Sequence, residues 1–161
     1  MTADGPNLEP IRMSVEVPLS QDRAFALFTE RIETWWPLDV HAVRKEEVAT
    51  CFVEPFAGGR MGERSRTGDE YVWADILVLE RPHRLVVSWH PNDSPATELE
   101  ITFTPSDRGT LVELEHRNWE AFAELALQAR TEYGRGWPLV IAERFAVAAE
   151  KAAAKGESHA S

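Results

Sequence analysis

The side chains able to do chemistry are scattered along the chain. The five histidines are His41, His83, His90, His116 and His159, and none stands in HExxH or another zinc-ligand spacing. No metal site is expected, and no cofactor. A serine nucleophile needs a base beside it, but no GxSxG elbow occurs, and Ser65 and Ser88 have no identifiable partner. The glycine-containing "AGGRMGE" at 57–63 lacks a strand-GxGxxG-helix context and reads as a hairpin turn. No catalytic constellation is expected.

A few single groups remain. His116 ends an alternating strand on the side of Val112 and Leu114, which points its imidazole inward, either as a general acid or base or as a histidine bonded to backbone. Glu54, Glu63 and Asp75 lie on or beside strands, and a carboxylate held in an apolar cavity could move protons. The pattern does not decide which way Glu54 and Glu63 face, whereas Glu113 and Glu115 fall on the solvent side. The single Cys51, within "VATCFVEPF", has no disulfide partner and reads as a buried, inert thiol of a reducing compartment.

What the sequence supplies in quantity is aromatic surface, above all in "ETWWPLDVH" at 33–41. Adjacent residues at a helix end point about 100° apart, so two neighbouring indoles cannot enter one pocket in the same way. Trp36, held by Pro37, is expected to be structural, and Trp35 to stand nearer an opening.

The elements that must position these groups follow from periodicity. Ile11, Met13, Val15 and Val17 alternate with polar residues, the period of a half-buried strand. Ser20 suits the cap of a following helix that carries Phe25, Phe28 and Ile32 on one stripe, as one helix or two short ones broken near Thr29 to Glu30. From 46 to 116, six strand-like runs are separated by turn signals such as Gly58-Gly59 and Gly68-Asp69. "TELEITFTP" is the clearest, with Leu99, Ile101 and Phe103 on one face. Beyond 117 the period becomes helical: "NWEAFAELALQARTEY" is a possible separate helix ended by "GRG". Trp137, Ile141, Phe145, Ala148 and Ala152 then form the stripe of a final helix with Pro138 in its first turn and Gly156 at its end.

Length and charge bound the function classes. At 161 residues the chain suits one domain, expected over 11–155 between disordered ends at 1–10 and 156–161. Its 17 basic and 27 acidic residues give a net charge of −10, a field that repels phosphate backbones and makes nucleic acid a poor partner. No apolar run is long enough for a membrane span and no signal peptide is evident, so a cytoplasmic monomer or weak dimer is expected.

In order and spacing, "FALFTERIETWWP", "VEPFAGGRMGE", "ERPHRLVVSWHP", "TELEITFTP", "GTLVELEH" and "YGRGWPLVI" resemble the homologues of the activator of the heat-shock-protein-90 ATPase. These are members of the START-like or SRPBCC superfamily, which includes the birch pollen allergen. The paired tryptophans and the later "GWP" also resemble the calicheamicin self-resistance family. The resemblance implies an α+β helix-grip fold: a seven-stranded antiparallel curved sheet wrapped around a long C-terminal helix, with two short helices after the first strand. It also implies a hydrophobic cavity between sheet and helix.

The expected cavity residues are Trp35, Trp36, Phe52, Phe56, Trp73, Trp89, Leu99, Ile101, Phe103, His116, Trp137, Ile141 and Phe145. The function expected first is non-enzymatic binding of an apolar or polyaromatic small molecule, of lipid or polyketide type, in natural-product binding or self-resistance. The alternatives are a cyclase or hydrolase using Glu63, Asp75 or His116, and a co-chaperone of heat-shock protein 90.

Overall fold

The computed structural model describes residues 8–36 and 48–160. Pro37 and His41 lie outside the described residues. Strand β1 (Ile11–Val17) is followed by helix α1 (Gln21–Thr29) and a single 3-10 turn (Ile32–Thr34). Ser20 caps α1, its side chain accepting the Arg23 backbone N–H, which satisfies one of the orphan donors of the first turn. Six strands come next: β2 (Val48–Val53), β3 (Arg60–Ser65), β4 (Glu70–Glu80), β5 (Arg84–Trp89), β6 (Thr97–Ser106) and β7 (Gly109–Arg117).

All seven strands form one antiparallel sheet in the order β1-β7-β6-β5-β4-β3-β2. The meander β2 to β7 pairs each strand with the next, and β1 closes on β7, so the segment carrying α1 crosses from one sheet edge to the other. Alternation fixes the faces: on β6, Thr97, Leu99, Ile101 and Phe103 are buried. The opposite face is laced with ion pairs, such as Arg117 with Glu98, Glu100 and Glu115, and Arg84 with Glu80 and Glu100.

Strict alternation fails on β4. Met61 pairs with Ala74 but Gly62 pairs with Val72, which leaves Trp73 as the extra residue of a β-bulge. A bulge re-aims the side chain it carries, and here Trp73 and Ala74 are both buried. Gly62 opposite is required by space, since a Cβ there would lie 2.4 Å from the Tyr71 carbonyl oxygen.

The C-terminal part is one continuous helical path. After a 3-10 stretch (Trp119–Leu125), α2 (Ala126–Trp137) runs into a π-helical segment (Pro138–Phe145) and on into α3 (Ala146–Ala160). "GRG" therefore does not break the helix, Pro138 stands inside it, and the helix passes Gly156. Proline lacks the N–H that would bond one turn back, and its ring crowds the preceding turn; widening to the i to i+5 pattern relieves both. The wider turn also moves the buried stripe: Trp137, Ile141, Phe145 and Ala149 are buried, with Ala149 taking the place expected for Ala148. This stripe packs with the inner sheet face and α1 in one core. No helix among the described residues is long and apolar enough to cross a membrane.

Candidate functional site

The apolar opening lies where β4 and β5 meet the α2 to π-segment junction. It is lined by Trp36, Trp73, Trp89, Pro91, Tyr133, Gly136, Trp137 and Val140, with a volume of about 180 Å³. An outer hollow of about 380 Å³ shares Pro91, Tyr133 and Gly136 with it. Small-molecule sites are typically roughly 300 to 1,000 Å³ and mainly apolar and aromatic, which suits this cleft and its antechamber together. A larger groove of about 550 Å³ lies between α1 and α3, but Arg23, Arg31, Lys151 and Lys155 line it and its character is cationic.

Trp36 is the hub of the cleft. Its ring stacks on Trp73 at 5.0 Å and 29°, and stands 6.0 Å from Trp89 and 6.3 Å from Trp137, edge-on to the latter at 80°. Trp89 and Trp137 close the circuit at 5.7 Å. Tilted and edge-to-face aromatic pairs each add about 0.5–1.5 kcal/mol beyond burial, so the walls hold their shape without a ligand.

Hydrogen bonds fix the rings from behind. Trp73 Nε1 donates to Glu63 Oε1 at 2.8 Å, Trp89 Nε1 to the Tyr133 hydroxyl at 3.1 Å, and Trp137 Nε1 to His116 Nδ1 at 3.0 Å. On its other side His116 Nε2 lies 2.7 Å from Thr97 Oγ1, and that hydroxyl donates to the Trp89 carbonyl at 3.3 Å. With Nδ1 accepting, the neutral ring must carry its proton on Nε2 and donate to Thr97. Burial pushes the His116 pKa down to about 3. His116 is thus fully buried behind Trp137 and positions it; it does not line the cleft, and its ring stays neutral near neutral pH.

The other titratable groups sort in the same way. Glu54 chelates the Arg60 guanidinium on the outer face, and that contact holds its carboxyl below the usual range. Asp75 is exposed and sits 2.8 Å from His90. Glu63 alone of the three carboxylates is turned inward, fully buried beside Cys51, its partner on β2. It supports Trp73 and does not line the cleft. The Cys51 thiol is pushed up to about 12 by burial, then by Glu33 and Glu63. Among the lining residues only Tyr133 is ionisable, and burial raises its pKa, so the phenol keeps its proton. No cluster of three or more metal-ligating side chains occurs among the described residues.

Of the thirteen expected cavity residues, Trp36, Trp73, Trp89 and Trp137 come together in the cleft. Leu99, Ile101, Phe103, Ile141 and Phe145 are solid core, with Phe103 edge-on to Phe25 at 5.1 Å and Phe145 edge-on to Trp35 at 5.0 Å. Phe52 lies on the outer face under the guanidiniums of Arg64 and Arg60, at 5.0 and 5.7 Å, and Phe56 is 56% exposed in the following turn. Neither belongs to the cavity. The expected roles of the adjacent tryptophans are exchanged: Trp35 is pinned by its Nε1 bond to the Leu27 carbonyl at 2.9 Å, and Trp36 faces the cleft. The chain leaves α1 through a 3-10 turn rather than an α-helical end, which sends Trp35 back onto α1.

Tyr133, Pro91, Gly136 and Val140 were not anticipated. Tyr133 had a readable signal, since it stands four residues before Trp137 on one helix face, where the two rings stack at 6.2 Å and 24°.

Comparison with known proteins places the fold in a family. The family model of the "Activator of Hsp90 ATPase homolog 1-like protein" matches residues 18–150. The chain belongs to this family. A solved structure of an anthrahydroquino-gamma-pyrone synthase, Txn09, is 35% identical at a TM-score of 0.58, covering 86% of this chain and 95% of that one. CalU16 from Micromonospora echinospora is 25% identical at a TM-score of 0.57, over 83% of this chain and 71% of that one. MLL2253 from Mesorhizobium loti, at 17% identity and a TM-score of 0.61, shares the fold over 84% of this chain and 93% of its own. No curated protein matches.

Proposed function

We propose that this chain is a binding module for a flat polyaromatic small molecule of the polyketide type, held in the tryptophan cleft between sheet and C-terminal helix. The observation that carries the reading is four indoles around one cleft whose lining includes no carboxylate, imidazole, thiol or amine. Such walls grip an aromatic plate through its faces and edges and offer it almost no acid or base. The likeness to Txn09, a synthase of a fused aromatic pyrone by its name, supports the ligand class. Isothermal titration with anthraquinone-2-sulfonate tests it: saturable 1:1 binding is expected in the wild type and loss of most affinity in Trp137→Ala. Unsaturable heat from both proteins would sink the reading.

That 35% identity also favours a second reading, ring closure of a bound precursor. An intramolecular closure needs no cofactor, only a folded substrate and a proton relocated. Tyr133 is the one lining group able to donate that proton. With an identified precursor, Tyr133→Phe would then keep binding and lose turnover; turnover unchanged in the variant would remove Tyr133 from the reaction.

A further inference from the structure

The six tryptophans of this chain do not treat their indole N–H groups alike. Five donate to an acceptor: Trp35 to the Leu27 carbonyl, Trp73 to Glu63, Trp89 to Tyr133, Trp119 to the His116 carbonyl and Trp137 to His116 Nδ1. Trp36 does not. Its Nε1 is out of reach of solvent and has no acceptor among the described residues, although its ring touches every other tryptophan of the cleft. A buried donor left unmade costs about 1–3 kcal/mol, a penalty that phenylalanine at this position would avoid while keeping an aromatic wall. Buried orphan donors are rare in native proteins and call for a reason.

We infer that the Trp36 Nε1–H is the cleft's hydrogen-bond donor to its ligand, so that the ligand is an aromatic plate bearing a ring carbonyl or phenolic oxygen rather than a bare hydrocarbon. This rests on the cleft being the ligand site. Because Nε1 is closed to solvent in the unliganded cleft, the bond requires an entering plate to part Trp36 from a neighbouring ring so that the oxygen reaches the indole edge. The same bond supplies selectivity. A site that provides a donor disfavours an analogue without the acceptor, because the donor then stays unpaired. The stacking walls, by contrast, accept either molecule.

The probes are anthraquinone-2-sulfonate and anthracene-2-sulfonate, which share a three-ring frame and a solubilising group and differ in two ring carbonyls. Calorimetric titration of the wild type is expected to show roughly tenfold tighter binding of the quinone. In Trp36→Phe that preference disappears: the ratio of the two affinities falls to about one, while both absolute affinities drop together with the lost indole area. In the wild type, the Trp36 indole N–H proton resonance is expected well downfield in the quinone complex of its position in the anthracene complex, where the ring current of the plate acts on it without a hydrogen bond, a measurement that does not depend on the variant folding. A quinone preference that survives in Trp36→Phe, or a Trp36 resonance no further downfield with the quinone than with anthracene, overturns the donor assignment and leaves the cleft standing. Failure of both probes to bind overturns the assignment together with the cleft reading.

Discussion

The Trp137 indole donates to His116 Nδ1 across 3.0 Å inside the core, and this bond requires a neutral imidazole. Protonating Nδ1 would set two N–H groups against each other and place a charge where burial is complete.

The consequence is a pH dependence of stability. The folded His116 pKa of about 3 lies below its ordinary value of 6.5, so between the two the unfolded chain binds the extra proton and the folded one does not. Stability from this group is fully present above pH 6.5 and is lost as pH falls toward 3, at up to about 1.4 kcal/mol per pH unit. Urea unfolding at pH 7, 6, 5 and 4 should show this fall in the wild type and a shallower one in His116→Gln. Parallel slopes for the two proteins would show that His116 does not contribute.

The two neighbouring tryptophans should separate in stability. Trp35→Phe removes ring volume from the Phe28 and Phe145 contacts and leaves the Leu27 carbonyl without its donor, a loss of about 2–4 kcal/mol. Trp36→Phe also loses volume but removes an unpaired buried donor, and the gain offsets part of the loss, leaving about 1 kcal/mol. Denaturant midpoints measured side by side decide it; a larger loss for Trp36→Phe would contradict the placement of both rings.

Much of the fold was legible because its signals are local. The period of two in "TELEITFTP" and in residues 11–17 set the faces of β6 and β1, and the turn signals placed the meander with ends within a few residues. What was not legible came from geometry that a pattern cannot hold. A bulge at Trp73 breaks the alternation of β4. One 3-10 turn exchanges the roles of Trp35 and Trp36, and a π-helical segment carries the last helix through Pro138 and shifts its stripe to Ala149. Aromatic character alone does not place Phe52 and Phe56. At Phe52 the guanidiniums of Arg60 and Arg64 give an aromatic ring a favourable place on the outer face. All three backbone irregularities lie beside the cleft, where bulges and π turns are commonly found.

Cys51 offers a test of the interior around Glu63. Its thiol is buried opposite Glu63 on the neighbouring strand, and burial with two nearby carboxylates pushes its pKa up to about 12. Thiolate, the form that reacts, is therefore scarce at pH 8, and the sulfur is also shielded. Native protein should resist 5,5′-dithiobis(2-nitrobenzoate) for hours and react at once in denaturant, one thiol per chain. Glu63→Gln keeps the shape but takes away one of the two carboxylates, so the native rate should rise if thiolate formation limits it, and should stay fixed if opening of the β2 to β3 edge does. Ready reaction of the wild type at pH 8 would show that Cys51 and Glu63 are not enclosed together.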